Sequence, residues 1–182
     1  MATVNIFPNA DVANSPAWTI SSGSDVWAML DDDDSGNVSS DSSDIYATAF
    51  GKVCVVSMQD LLSGLSGATI NSVTGVVKHN NNTRGQTYEI AMKIGHSGGL
   101  YYSEGTGTVS AALSWQTTTF TERTTSDGSS AWTFAEINGL VMHLSLNAHS
   151  GGTTGITYAY FIIDYTEAAA AEDNAVFFGT NF

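Results

Sequence analysis

The stretch that decides the fold is Thr87-Tyr-Glu-Ile-Ala-Met-Lys-Ile-Gly95. Tyr88 and every second residue after it, through Ile94, are large and apolar, whereas Glu89 and Lys93 stand between them. On an extended chain the apolar side chains share one face and the charged ones share the other. This period of two is typical of a β-strand with one buried face.

Similar segments on both sides of this stretch predict an all-β chain. We predict strands over residues 26–30, 45–50, 53–58, 70–79, 87–95, 106–113, 116–123, 140–146 and 156–165. The last of them, Ile156–Tyr165, is apolar on both faces, which favours a central place in a sheet or a buried outer face. Strands and helices do not alternate along the chain, so a parallel sheet has no support. We therefore predict an antiparallel two-sheet, jelly-roll-like β-sandwich.

One helical turn is legible between the later strands. Thr133 and Glu136 have the spacing of a capping box, in which each side chain bonds the other residue's backbone N–H. Trp132 and Ile137 flank this pair as a hydrophobic staple, and Gly139 ends the turn. A second short turn is predicted at residues 59–62.

The chain is predicted to be one sandwich domain with an extended arm at each end. The domain covers residues 25–166, and the arms cover residues 1–24 and 167–182. Fixing an ordered arm costs conformational entropy that apolar contacts must offset, so we expect its apolar residues to contact another surface. The predicted contacts with another subunit or another protein surface are Ile6, Phe7, Trp18, Val176, Phe177, Phe178 and Phe182.

The negative charge of the chain argues against polyanionic partners. The net charge is −13, with 18 carboxylates against five lysines and arginines. Phosphate backbones and anionic membranes are bound by clustered cations, so neither is expected as a partner. Residues 1–8 lack the pattern of a signal peptide, and we expect a protein that is made in a cytoplasm and not secreted. The single cysteine, Cys54, lies in an apolar strand and is expected in the core.

Three patterns could carry chemistry, and each also has a plain structural interpretation. Asp31–Asp34 could bind Ca²⁺ or form a solvated acidic loop. The tetrapeptide His-Ser-Gly-Gly at His96 and again at His149 could form a metal pair or two glycine turns. Glu89 and Glu104 are the first carboxylates to inspect for glycoside hydrolysis. We predict no catalytic residue, no metal and no cofactor.

The aromatic residues allow two interpretations. Trp27, Trp115 and Trp132 are expected to fill the core, and Tyr101-Tyr102 could stack on a sugar or cover a sheet edge. Among polar residues, His79 is expected to be solvated at a strand end.

Several motifs together resemble a known group of domains. They are Trp27-x-x-Leu30-Asp-Asp-Asp, Ser43-Asp-Ile-Tyr46, Ile70-x-Ser-Val73-x-x-Val-Val77, Ser114-Trp-Gln-Thr-Thr-Thr-Phe120, the segment 131–140 and a closing strand rich in Tyr and Ile. In this order they are similar to β-sandwich domains of virion proteins of tailed bacteriophages, over residues 25–166. Gly75 departs from the third motif, in which an apolar residue is usual. The resemblance implies a non-enzymatic structural protein of the virion.

The resemblance implies a capsid decoration or cement subunit that forms a homo-oligomer, a trimer, and binds the major capsid protein or other virion proteins. Two functions of other classes stay open beside this role. The first alternative is a carbohydrate- or receptor-binding adhesion module of a head or tail fibre, which predicts exposed Tyr and Trp grouped on one face. The second is a polysaccharide hydrolase.

Overall fold

The chain folds as two antiparallel β-sheets packed face to face. A computed structural model describes residues 1–30, 44–61, 63–82, 87–95 and 115–168, and residues 101–110 as backbone. The strands are β1 (Ala2–Ile6), β2 (Pro8–Ala13), β3 (Thr19–Ile20), β4 (Ile45–Ala47), β5 (Lys52–Met58), β6 (Thr69–Asn81), β7 (Thr87–Gly95), β8 (Tyr101–Ser110), β9 (Gln116–Thr119), β10 (Val141–His149) and β11 (Thr154–Thr166). Short 3-10 helices at Trp27–Met29 and Ser63–Leu65 and the α-helix α1 (Phe134–Ile137) complete the described elements. The predicted antiparallel sandwich is confirmed.

Strand β11 lies in the middle of one sheet, which is one of the two placements that its two apolar faces predicted. In this β11 sheet the strand order is β3-β4-β11-β6-β9, and β1 pairs with the C-terminal half of β11 beside β4. The other sheet, the β10 sheet, has the order β2-β5-β10-β7-β8. Every described pairing is antiparallel. Among the described residues, none forms a helix of the length and apolarity that crossing a bilayer requires.

The inner faces of the two sheets form one hydrophobic core. Phe161 and Ile163 of β11 are fully buried in one hydrophobic cluster with Met92 and Leu144 of the β10 sheet. Cys54 is also fully buried there, as predicted. The packing of the two sheets explains why position 75 holds a glycine, where the resembling motif usually has an apolar residue. A Cβ atom placed on Gly75 would lie 2.0 Å from the sulfur of Met92, so the facing strand occupies the space that a side chain would need.

The N-terminal segment differs from the predicted arm. Residues 2–6 pair with β11 and residues 8–13 pair with β5, so the segment 1–24 adds an edge strand to each sheet. Ile6 and Trp18 are each only 2% exposed and belong to the core. The alternation of Ala2, Val4 and Ile6 with polar residues is a strand pattern, and pairing satisfies backbone groups that an arm would leave to water.

The helical turns are partly as predicted. The capping box is confirmed, because Thr133 Oγ1 accepts from the Glu136 N–H and the Glu136 carboxylate accepts from the Thr133 N–H. The predicted strand at 26–30 is instead the 3-10 helix Trp27–Met29. The Asp11 carboxylate accepts bonds from the N–H groups of Val26 (2.9 Å) and Trp27 (2.7 Å), which caps this turn from strand β2.

Candidate functional site

The outer face of the β11 sheet carries aromatic rings where polar side chains are usual. Ala159 and Phe161 of β11 enter the core, so Tyr158 and Tyr160 point to the opposite side of the sheet. Phe7 follows β1 and its ring contacts that of Tyr160. We call this outer surface of the β11 sheet the aromatic face.

The rings nearest the middle of this face form a continuous row. The ring centroids of Phe7 and Tyr160 are 5.4 Å apart, and those of Tyr160 and Tyr158 are 5.6 Å apart. Both pairs are tilted, within the separations at which aromatic rings attract each other. Tyr158 is only 2% exposed, whereas Phe7 and Tyr160 are half-buried. In this aromatic row, therefore, Tyr158 supports its neighbours, and the other two rings keep accessible surface.

A second group of side chains surrounds Gly155, one outward position before Tyr158 on β11. A Cβ atom placed on Gly155 would lie 3.4 Å from the indole carbon Cη2 of Trp115. It would also lie 3.0 Å from Asn80 Oδ1 and 3.1 Å from Asp44 Oδ2. A glycine inside a strand often marks a close approach of this kind.

The pairing of strands β4 and β11 adds the phenol ring of Tyr46 to the same group. Tyr46 of β4 is opposite Gly155, and its neighbours Ile45 and Ala47 are in the core, so its side chain is on the aromatic face. We call Asp44, Tyr46, Asn80 and Trp115 the Trp115 cluster. Tyr46 and Trp115 are both half-buried. The cluster therefore combines two partly accessible rings with a carboxylate and an amide.

Few charges lie on the described part of this face. Lys78 Nζ is 5.3 Å from the centroid of the Tyr158 ring, a cation–π distance. Asp164, outward at the far end of β11, accepts a 2.9 Å bond from Asn71. Asp44 is at the other end. The outward residues of β1 and β9 are neutral: Thr3, Asn5, Thr117 and Thr119.

A buried hydrogen-bonded triad lies directly beneath the face. His79 is fully buried, and its Nδ1 is 2.6 Å from the Tyr88 hydroxyl while its Nε2 is 2.7 Å from Thr118 Oγ1. The prediction that His79 is solvated was wrong, because the residue points inward and joins β6 and β9 to β7. Burial lowers the pKa of His79 to about 4 and raises the pKa of Tyr88 to about 12. Both groups are therefore neutral at neutral pH, and the triad is structural.

The outer face of the β10 sheet provides weaker candidates for a functional site than the aromatic face does. Burial, followed by the nearby charge of Lys93, lowers the pKa of His143. Glu89 accepts a 3.2 Å bond from Asn147, and the side chain of Glu104 lies outside the described residues. The hydrolase alternative consequently stays untested. Within the described ranges, no group of three or more His, Cys, Asp or Glu could hold a metal ion.

The predicted contact residues have separate locations. Ile6 and Trp18 are in the core, and Phe7 is on the aromatic face. The predictions for Val176, Phe177, Phe178 and Phe182, and those for Asp31–Asp34, His96 and Tyr101-Tyr102, lie outside the described residues or side chains. The subunit and shell contacts therefore stay predictions.

The aromatic residues are evident from the sequence, but their grouping on the folded chain is not. Trp132 is in the core as expected, and Trp27 is partly buried and packs against the core cluster. Trp115 was expected in the core as well, yet it lies over Gly155 on the outer face. The signal for the aromatic row was present, since Tyr158 and Tyr160 alternate with the core residues of the last strand.

Comparisons with known proteins give distant structural matches alone. No protein-family model matches the sequence, and no curated protein matches it. The chain is similar to the solved structure "CBM32 of AlyQ in complex with 4,5-unsaturated mannuronic acid", with 16% identity, a TM-score of 0.44, and coverage of 85% of this chain and 97% of that one.

Two further solved structures match at similar distance. "Truncated AlyQ with CBM32 and alginate lyase domains" matches with 16% identity and a TM-score of 0.46, over 92% of this chain and 35% of that one. A "pectin binding carbohydrate binding module" matches with 11% identity and a TM-score of 0.40, over 93% of this chain and 92% of that one.

Proposed function

We propose that this chain is a non-catalytic binding module that takes a carbohydrate on the aromatic face. The observation that carries the proposal is the grouping of partly exposed rings with polar groups on one outer sheet face. Phe7 and Tyr160 form one end of this group, and the Trp115 cluster forms the other. A sheet face that contacts only water has no need of such rings, because polar side chains suffice there.

The chemistry of a sugar fits the two kinds of group on this face. A pyranose ring presents C–H groups on its faces and hydroxyls around its rim. The C–H groups pack against the flat, electron-rich faces of aromatic rings. The Asp44 carboxylate accepts hydrogen bonds from hydroxyls, and the Asn80 amide both accepts and donates them. The Trp115 cluster therefore provides apolar contact and hydrogen-bonding groups within one small area.

The virion role predicted from the resemblance stays a prediction. An assembly arm was expected at 167–182, and of this segment only Glu167 and Ala168 are described. Ile6 and Trp18 pack inside their own domain. No described residue therefore gives this role a specific observation, whereas the aromatic face gives the binding role one. The two roles are compatible, because a virion protein can carry a sugar-binding face.

The test is a glycan array that includes neutral and acidic polysaccharide fragments, followed by calorimetry on the glycans that bind. Wild type is compared with Trp115→Ala and Tyr160→Ala. The matched control is Phe50→Ala, which removes an aromatic ring that is 69% exposed and lies in the connection after β4. Circular dichroism and thermal unfolding establish that each variant is folded.

The expected result is glycan binding that both face variants weaken by about tenfold and that the control leaves unchanged. Two results would contradict the proposal. One is an array without any bound glycan. The other is binding that folded Trp115→Ala and Tyr160→Ala proteins retain at full strength, which would place the sugar elsewhere.

A further inference from the structure

We infer that the aromatic face selects a neutral glycan chain, several sugars long, over chains of uronic acids. This inference rests on the proposed function and names the chemical class of its ligand. Two features of the face support it. One is the distance between its two groups of rings, and the other is the sign and number of its charges.

The distance between the groups sets the length of the ligand. Gly155, Tyr158 and Tyr160 occupy successive outward positions on β11, with a bulge between Ile156 and Tyr158. Outward positions follow each other every ~7 Å along a strand, so the Trp115 cluster and Tyr160 are separated by about 14 Å. One sugar ring is much shorter than this distance. Contact with both groups therefore requires an oligosaccharide that runs along β11.

The charges of the face disfavour a polyanion. A chain of uronic acids carries one carboxylate on each sugar, and proteins bind such groups with clustered arginines and lysines. Among the described residues of the face, Lys78 is the one cation, and Asp44 and Asp164 carry carboxylates at the two ends. Lys78 already lies over the Tyr158 ring.

The charge of the whole chain acts in the same direction. A net charge of −13 gives the protein a negative potential that repels polyanions and leaves neutral molecules unaffected. Salt screens such repulsion over about 10 Å at 0.1 M. The affinity for a neutral chain should accordingly be independent of salt, and any residual binding of a uronate chain should strengthen as salt is added.

The experiment is calorimetry on the full chain with hexasaccharides of two charge classes. The neutral probes are the hexasaccharides of cellulose, mannan, xylan and laminarin, and the acidic probes are hexagalacturonate and hexamannuronate. Each titration is run at low and at high sodium chloride. The best neutral probe is then shortened stepwise to the disaccharide, with wild type, Trp115→Ala and Tyr160→Ala.

We expect at least one neutral hexasaccharide to bind about tenfold or more tightly than both uronates, without dependence on salt. We also expect affinity to fall as the chain is shortened, and each single variant to lose most of the gain from length. Tighter binding of a uronate, or neutral binding that salt weakens, would overturn the charge selection. A disaccharide that binds as tightly as the hexasaccharide would overturn the span. Absence of binding to every glycan would instead contradict the proposed function itself.

Discussion

The close approach of the two sheets at Gly75 leads to a stability prediction. A Cβ atom at this position would lie 2.0 Å from Met92 Sδ and 3.2 Å from Met92 Cε. Unstrained contacts between such atoms are about 3.5–4.0 Å, so the Gly75→Ala methyl group and the sulfur overlap by about 1.5–2 Å. Met92 is fully buried, so its side chain must find another conformation inside the packed core.

The expected size of the effect follows from two opposing terms. Adding atoms to a packed core costs about 1–3 kcal/mol. Replacing glycine by alanine restricts the unfolded chain, which returns about 0.4–1 kcal/mol. We therefore expect Gly75→Ala to lower the free energy of unfolding by about 1–2 kcal/mol. For a chain of this size, the melting temperature should fall by about 2–8 °C.

A control and a double-mutant cycle make this prediction specific. Gly64→Ala is the control, because a Cβ atom there has no neighbour within 4 Å among the described contacts. Met92→Ala should itself cost about 2–5 kcal/mol. In that background Gly75→Ala should lose its penalty, because the new methyl group enters vacated space, which gives a coupling of about 1 kcal/mol or more.

The measurement is urea unfolding followed by tryptophan fluorescence, with calorimetry for the melting temperatures. A Gly75→Ala protein as stable as Gly64→Ala would contradict this prediction. So would a penalty of Gly75→Ala that is the same with and without the Met92 side chain.

Three further predictions concern other described residues. Burial lowers the pKa of His79 from 6.5 to about 4. Between these pH values the histidine takes up a proton when the protein unfolds. The free energy of unfolding should therefore fall more from pH 7 to pH 5 in the wild type than in His79→Gln. Equal losses in the two proteins would contradict this prediction. Burial raises the pKa of the Cys54 thiol. A thiol reagent at pH 8 should therefore label this residue only as fast as the protein unfolds. Rapid labelling of the folded protein would place the thiol at the surface. Gly155→Ala should displace Asp44 or Asn80 with little loss of stability. We expect it to weaken glycan binding ~10-fold in calorimetry. An unchanged affinity would show that the Trp115 cluster does not contact the glycan.

Local signals predicted the fold well where they decide the structure by themselves. The alternation in 87–95 and the capping box of Thr133 and Glu136 act over a few residues, and both appear as expected. Trp27 shows the limit of such signals. Its N–H donates a hydrogen bond to the carboxylate of Asp11, 16 residues earlier, and the segment is a 3-10 helix in place of the predicted strand. A local pattern in residues 26–30 contains no sign of so distant a partner.

The candidate site depends more strongly on topology. Trp115 and Gly155 are distant in sequence and meet because β6 pairs with β9 on one side and β11 on the other. Phe7 reaches Tyr160 through the pairing of β1 with β11. Periodicity assigns a side chain to a face of its own strand, and strand order decides which faces are joined.

The most direct test of the sugar site is an NMR titration of the isotopically labelled chain with the neutral hexasaccharide that binds best. We predict shifts of the Trp115 indole N–H and of the backbone amides of Gly155, Tyr158 and Tyr160. The indole signals of Trp18 and Trp132, which are in the core, should stay in place. Shifts confined to the outer face of the β10 sheet, around Lys93 and His143, would contradict it.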